Sequence, residues 1–159
     1  MSDVQGWYAY KHERGAREEI HRIQENRMTW DELESEAKIL VAKITDPPDL
    51  VIGIARGGVI PAVLLSNLLN VKDLLVLKVR KEGDGRKVVA EVVADVTNKK
   101  VLLVEDMLET GQSLIVTKAY LESKGASVKT VCLYTMPITE IQPDFFIREV
   151  QEVQKFPWE

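Results

Sequence analysis

The stretch VLLVEDMLETGQSL, residues 101–114, decides the fold. Its opening run, 101–104, is wholly apolar, the pattern of a strand buried on both faces of a parallel sheet. Glu105, Asp106 and Glu109 follow at once, and Thr110-Gly111-Gln112-Ser113 then opens a helical pattern that runs from about Gln112 to Ser123 and stops near Gly125. This order predicts that the acids and the TGQS turn sit just past the carboxyl end of the strand, where open α/β sheets bind their ligands.

Working outward, the same grammar recurs. The run LVIGIA at 50–55 reads as a buried strand, Arg56-Gly57-Gly58 as a tight turn, and about Pro61 to Leu69 as a helix with proline near its start, where a missing N–H costs little. Before it, Leu33, Ala37, Leu40, Val41 and Ile44 recur at helical spacing behind a Thr29 cap, with Asp31 and Glu32 in the first turn. LLVLKVR at 74–80 and VKTVCLY at 128–134 read as further strands, KEGDGRK at 81–87 as an exposed turn, and VVAEVVADV at 88–96 as β-rich. Strands alternating with helices place the chain in the α/β class, with an open, mainly parallel sheet flanked by helices.

The expected organisation is one domain over residues 28–159, preceded by an arm or peripheral helix at 1–27 that carries Trp7, Tyr8 and Tyr10 but no core-forming stripe. A net charge of -4 and a pI near 5.4 argue against a nucleic-acid surface built on bulk positive charge and point to small-molecule chemistry. The single cysteine, Cys132, lies in an apolar run and reads as a buried strand thiol. No apolar stretch reaches membrane-spanning length and the start lacks a basic-then-apolar leader, so the expected partners exclude membrane and the expected compartment is the cytoplasm.

The site chemistry follows from what could satisfy both turns. A helix starting at Gln112 offers free backbone N–H groups, with the Thr110 and Ser113 hydroxyls beside them, and suits a phosphate. Glu105, Asp106 and Glu109 would repel a bare phosphate, so they must face another part of the ligand, such as a vicinal diol or a divalent cation. A phosphorylated sugar has both parts. The turn is no ordinary P-loop, because the Gly-x-x-x-x-Gly-Lys pattern is missing. A phosphorylated receiver domain would need acids after an early strand, where this chain has Ile54-Ala55-Arg56. In GIARGGVIPA, 53–62, Gly57 and Gly58 let backbone amides approach an anion and Arg56 adds a permanent planar cation, which reads as a second anion site.

VLLVEDMLETGQS resembles the signature of type I phosphoribosyltransferases, ARGGVIPA resembles their purine-salvage pyrophosphate loop, and KFPWE, 155–159, is similar to the ending of small xanthine-guanine and archaeal purine enzymes. The chain as a whole most resembles the small xanthine-guanine, hypoxanthine-guanine and archaeal-like purine phosphoribosyltransferases. The likeness runs from about Thr29 to Glu159. It implies Mg²⁺-dependent transfer of a phosphoribosyl group from phosphoribosyl pyrophosphate to a nucleobase, in a homo-oligomer of two or four copies. It also implies roles: Glu105 and Asp106 hold the ribose hydroxyls and place the metal, Glu109 stands near the base as a proton acceptor, and Thr110, Gly111, Gln112 and Ser113 cradle the 5′-phosphate. Arg56, Gly57, Gly58 and Lys78, the last at the end of its strand, serve pyrophosphate. Ala55–Arg56 is a candidate cis peptide, and 81–87 a mobile hood.

Departures from that pattern concentrate at the base. Glu109 stands where relatives have Asp, Met136 where close relatives carry a lysine that donates to a 6-oxopurine, and Val153 where they carry a stacking aromatic. Phe145, Phe146 or Phe156 are the candidate replacements for that ring, and Trp158 reads as a packing anchor. Two functions therefore stay open: a phosphoribosyltransferase, and a non-catalytic sensor of phosphoribosyl pyrophosphate or nucleotides that controls a partner.

Overall fold

The computed structural model describes residues 14–17, 27–90 and 92–159. Helix α1, Trp30–Ala42, starts with a reciprocal cap: the Glu32 N–H donates to the Thr29 hydroxyl at 3.2 Å and the Thr29 N–H donates to the Glu32 carboxylate at 2.7 Å. Such a cap contributes roughly 1 kcal/mol. The remaining elements are β1 (Leu50–Ala55), α2 (Val59–Leu68), β2 (Leu74–Glu82), β3 (Gly85–Val88), β4 (Lys100–Leu108), α3 (Gln112–Ser123), β5 (Ser127–Thr135) and β6 (Arg148–Glu149).

The strands form one six-stranded sheet in the order β3-β2-β1-β4-β5-β6, parallel except for the β2–β3 hairpin. The chain leaves β1 toward β2 and then returns across it to lay down β4 on the other side. The loops after β1 and β4 therefore diverge, and the crevice between them is the ligand position of doubly wound sheets. Neighbouring residues of the central strands feed different cores. Val51, Leu102 and Val104 pack with Leu33, Leu40 and Leu65 of α1 and α2, whereas Ile52, Leu103 and Cys132 pack with Leu114 and Leu121 of α3. Burial on both faces explains the unbroken apolar runs, and each fully buried Leu or Ile contributes about 1.5–3 kcal/mol.

Some boundaries differ from expectation. β4 continues past the apolar run, because β5 offers it partners as far as Leu108 opposite Thr135; Glu105 and Asp106 thus stand on the strand, with only Glu109 and the TGQS turn beyond its end. The 81–87 segment is a hairpin rather than a free turn, with Gly83 at φ 60 at its tip. Lys78 consequently lies mid-strand, opposite Ala55. Among the described residues of the β-rich run 88–96, only Val88 is strand. The Val89 N–H still reaches the Lys78 carbonyl at 2.9 Å, but the chain must then cross back to β4 and has no strand to follow. Val92 takes the Tyr120 hydroxyl as acceptor at 3.1 Å instead, and Val93 is fully exposed. Helix α2 begins at Val59, before Pro61, since the Ala62 N–H already reaches the Gly58 carbonyl at 3.0 Å.

Most of the 1–27 arm falls outside the described residues. Arg27 itself belongs to the folded body: it bridges Lys155, and its guanidinium donates to the Phe156 carbonyl at 3.3 Å and to the Glu159 carbonyl. Among the described residues no helix is long and apolar enough to cross a membrane.

Candidate active site

The two glycine loops bracket the switch point. After β1, the Ala55–Arg56 peptide is cis, and Gly57 lies against β4 so closely that a Cβ there would overlap the Asp106 carboxylate. A Cβ on Gly58 would meet the Val104 carbonyl, and backbone atoms of Ile54 at 2.9 Å. Gly58 is buried, so this glycine is required for close approach of the loop to its strands. After β4, Gly111 takes the left-handed conformation, φ 80, and α3 starts at Gln112 with no side-chain cap. The Gln112 N–H makes only a long bond to the Thr110 hydroxyl, 3.5 Å, and the next N–H groups of the first turn are left for a ligand, which is the local chemistry of an anion site.

These loops open into two cavities. The larger, about 850 Å³, is lined by Ala55, Arg56, Gly57, Ile60, Asp106, Trp158 and Glu159. The smaller, about 200 Å³, is lined by Glu105, the residues Glu109 to Ser113, and Arg86 from the β2–β3 hairpin. The paired acids are therefore shared out, Asp106 to the Arg56 side and Glu105 to the TGQS side. A ligand spanning the end of β4 would meet both.

The electrostatics of the pair are set by burial. Desolvation first, and then the charge of Asp106, holds the Glu105 carboxyl well above the usual carboxylate range. Desolvation also raises Asp106, against the lowering effect of the Met107 N–H, which donates to Asp106 Oδ1 at 2.7 Å. Among the described residues no basic side chain forms a salt bridge with either acid. Two adjacent half-buried carboxyls that disfavour carrying two negative charges fit a hard cation such as Mg²⁺, whose binding would favour the ionised form of both. No group of three or more His, Cys, Asp or Glu converges among the described residues, so substrate oxygens and water would complete its shell. Cys132 is the register partner of Glu105; burial, helped by both acids, pushes its thiol up and leaves it an inert packing group.

The remaining sequence candidates lie elsewhere. Lys78 is exposed on β2, Met136 is half-buried at the start of the turn after β5, and Val153 is 57% exposed; none of them lines either cavity. Phe145 lines a separate cavity with Lys100 and Ser127 at the amino ends of β4 and β5. Phe146 packs in the α3 core, and Phe156, 1% exposed, is stacked between Tyr134 and Trp158 at centroid distances of 5.7 and 4.8 Å. The aromatic ring at the crevice is Trp158, which is a packing anchor on one side and a cavity wall on the other. Sequence reasoning also passed over Arg86, one cation among several in the charged hairpin; its only mark was its place beside the hood glycines.

An open, mainly parallel sheet with its crevice at the switch point between two glycine loops, and a hairpin folded over one edge, defines the type I phosphoribosyltransferase class of α/β folds. The Phosphoribosyl transferase domain family matches residues 19–159, reaching further toward the amino end than the motifs do. The purine phosphoribosyltransferase of Pyrococcus horikoshii Ot3 shares the fold at a TM-score of 0.78 and 34% identity, over 84% of this chain and 92% of that one. The xanthine-guanine phosphoribosyltransferase of Idiomarina loihiensis is 24% identical over 148 residues, 87% of this chain and 89% of the relative. A ribose-phosphate pyrophosphokinase of Haemophilus ducreyi is 33% identical over 89 residues, and there the chain spans only 26% of the relative's length. The chain belongs to the phosphoribosyl transferase domain family.

Proposed function

We propose that the protein transfers the 5-phosphoribosyl group of phosphoribosyl pyrophosphate to a nucleobase, a purine in a salvage reaction, and releases pyrophosphate. The observation that carries this reading is the division of the crevice: an anion-suited helix start with Arg86, a second glycine loop with Arg56, and between them two acids that no described basic side chain meets in a salt bridge. The 5′-phosphate lies on the Thr110–Ser113 loop, the ribose hydroxyls donate to Glu105 and Asp106, and pyrophosphate lies along Arg56 and Gly57. A base nitrogen forms the new bond to the anomeric carbon as the bond to pyrophosphate breaks, and the electron pair leaves with pyrophosphate. The proton of the base passes to Glu109, which is exposed at the mouth of the smaller cavity, or to water. Mg²⁺ held by the Glu105 and Asp106 carboxylates would supply positive charge against the departing pyrophosphate. The same carboxylates stabilise the positive charge that builds on the ribose. We further propose a homo-oligomer acting in the cytoplasm, with the β2–β3 hairpin as the hood that excludes water.

Met136 and Val153 favour one second reading, a sensor that binds phosphoribosyl pyrophosphate or nucleotides without transferring the sugar. Met136 has no side-chain donor, its N–H is already committed to the Leu108 carbonyl at 2.9 Å, and Val153 is turned out to solvent. The test is pyrophosphate release from phosphoribosyl pyrophosphate with and without Mg²⁺, across adenine, hypoxanthine, guanine, xanthine, uracil and orotate, with mass detection of the nucleotide. Release with one purine supports the enzyme. Silence with every base, alongside saturable binding of phosphoribosyl pyrophosphate, supports the sensor.

A further inference from the structure

The turn after β5 is laid directly against the TGQS loop. The Met136 N–H donates to the Leu108 carbonyl at 2.9 Å, and four residues on the Glu140 N–H donates to the Thr110 carbonyl, also at 2.9 Å. The Gln112 side-chain amide donates to the Glu140 carboxylate at 2.7 Å. The turn is braced within itself, by the Thr139 N–H on the Met136 carbonyl at 3.1 Å and the Thr139 hydroxyl on the Ile141 carbonyl at 3.3 Å. It also leaves Gly111 no room: a Cβ there would stand 2.6 Å from Ile141 Cγ2 and 2.7 Å from Thr139 Oγ1. The backbone of Thr110, the left-handed Gly111 and the side chain of Gln112 are thus all fixed by one turn.

A carboxylate beside an anion pocket acts in two opposed ways. Its charge repels the anion, and its hydrogen bonds shape the loop that receives it. Glu140 is exposed, so water and salt screen the repulsion, whereas the short bond from Gln112 to its carboxylate acts at contact distance. We infer that Glu140 is a positioning residue of the phosphate pocket: its carboxylate holds the Gln112 side chain aside so that the loop, whose Thr110 carbonyl the Glu140 backbone N–H already fixes, admits the sugar's 5′-phosphate. The inference rests on the reading of that pocket as the phosphate site.

The experiment compares Glu140→Ala and Glu140→Gln with the unmodified protein by calorimetric titration of ribose 5-phosphate and of phosphoribosyl pyrophosphate with Mg²⁺. Glu140→Ala is expected to weaken both about three- to tenfold, with an equal rise in KM, an unchanged kcat and a melting temperature close to that of the unmodified protein. Glu140→Gln keeps an acceptor oxygen and sheds the charge, and is expected to restore binding. Tighter binding by both variants would show that charge repulsion dominates and would overturn the inference, as would binding by Glu140→Ala equal to that of the unmodified protein. Failure of the unmodified protein to bind either sugar phosphate would overturn the pocket reading itself, and this inference with it.

Discussion

Replacing Gly111 by alanine separates two demands that the structure makes of one residue. The first is conformational: at φ 80 an L side chain crowds its own carbonyl, at a cost of about 1–2 kcal/mol. The second is steric. The new Cβ would stand 2.6 Å from Ile141 Cγ2, and relaxing that contact to about 3.5 Å requires the 139–141 turn to withdraw by roughly 1 Å. Overpacking of this kind costs about 1–3 kcal/mol, so the two together destabilise by about 2–5 kcal/mol. In a chain of 159 residues that lowers the melting temperature by about 5–15 °C. Gly125 is the control. It shares the left-handed backbone, φ 87, but a Cβ there meets nothing closer than Thr97 Cγ2 at 3.4 Å, so Gly125→Ala carries only the first cost. Calorimetric unfolding of both variants measures the difference directly, and titration with ribose 5-phosphate reports the loop. A 1 Å displacement there weakens function by up to about 10²-fold. If Gly111→Ala were no less stable than Gly125→Ala and bound sugar phosphate normally, the packing of the turn on the loop would carry no energy and the reasoning would fail.

Other perturbations address the acids, the hood and the base. Burial raises Glu105, so the folded state keeps that proton to higher pH than the unfolded chain does. This contribution favours folding fully below the ordinary carboxylate value and is lost as pH rises through the raised folded one. Glu105→Gln should therefore stabilise the ligand-free protein at pH 8, with a gain that shrinks toward pH 4; urea unfolding at both values checks it, and an equal gain at both would contradict it. Arg86→Ala should weaken ribose 5-phosphate binding about tenfold or more, because a charge-assisted contact to the pocket is lost, while leaving binding of free pyrophosphate near its original strength. Equal loss for both ligands would place Arg86 outside the phosphate pocket. Met136 lines neither cavity of the ligand-free protein, so Met136→Lys tests whether position 136 reaches the base at all. A donor that does so should raise turnover of a 6-oxopurine, and no gain with hypoxanthine, guanine or xanthine would keep the position outside the base contact.

How much of this was legible beforehand depends on whether the cause is local. Thr29 announced α1 because a cap and its Glu32 partner lie three residues apart, and the helix from Gln112 to Ser123 was readable from the turn before it and Gly125 after it. The double-sided burial of β1 and β4 was written in LVIGIA and VLLV, since a strand covered on both faces needs no polar alternation. The end of β4 was not readable. It lies at Leu108 because β5 offers partners that far, and pairing with a strand some thirty residues away leaves no mark at Glu105 or Asp106. The run 88–96 misled for the opposite reason: its composition favours a strand, but the sheet has no place for one where the chain must cross back.

The sequence by itself determined the α/β class, both glycine loops and the acids between them, because periodicity, turn chemistry and motif spacing are properties of contiguous residues. Only the tertiary structure decided which distant side chains share a cavity. Arg86 reaches the TGQS loop because the hairpin folds over the sheet edge, Trp158 walls the Arg56 side because residues 155–159 pack back on Arg27 and Tyr134, and Glu140 meets Gln112 because the turn after β5 lies beside the one after β4. Those meetings follow from the strand order β3-β2-β1-β4-β5-β6, and strand order is fixed by long-range pairing and by the direction of each crossover rather than by any local run of residues.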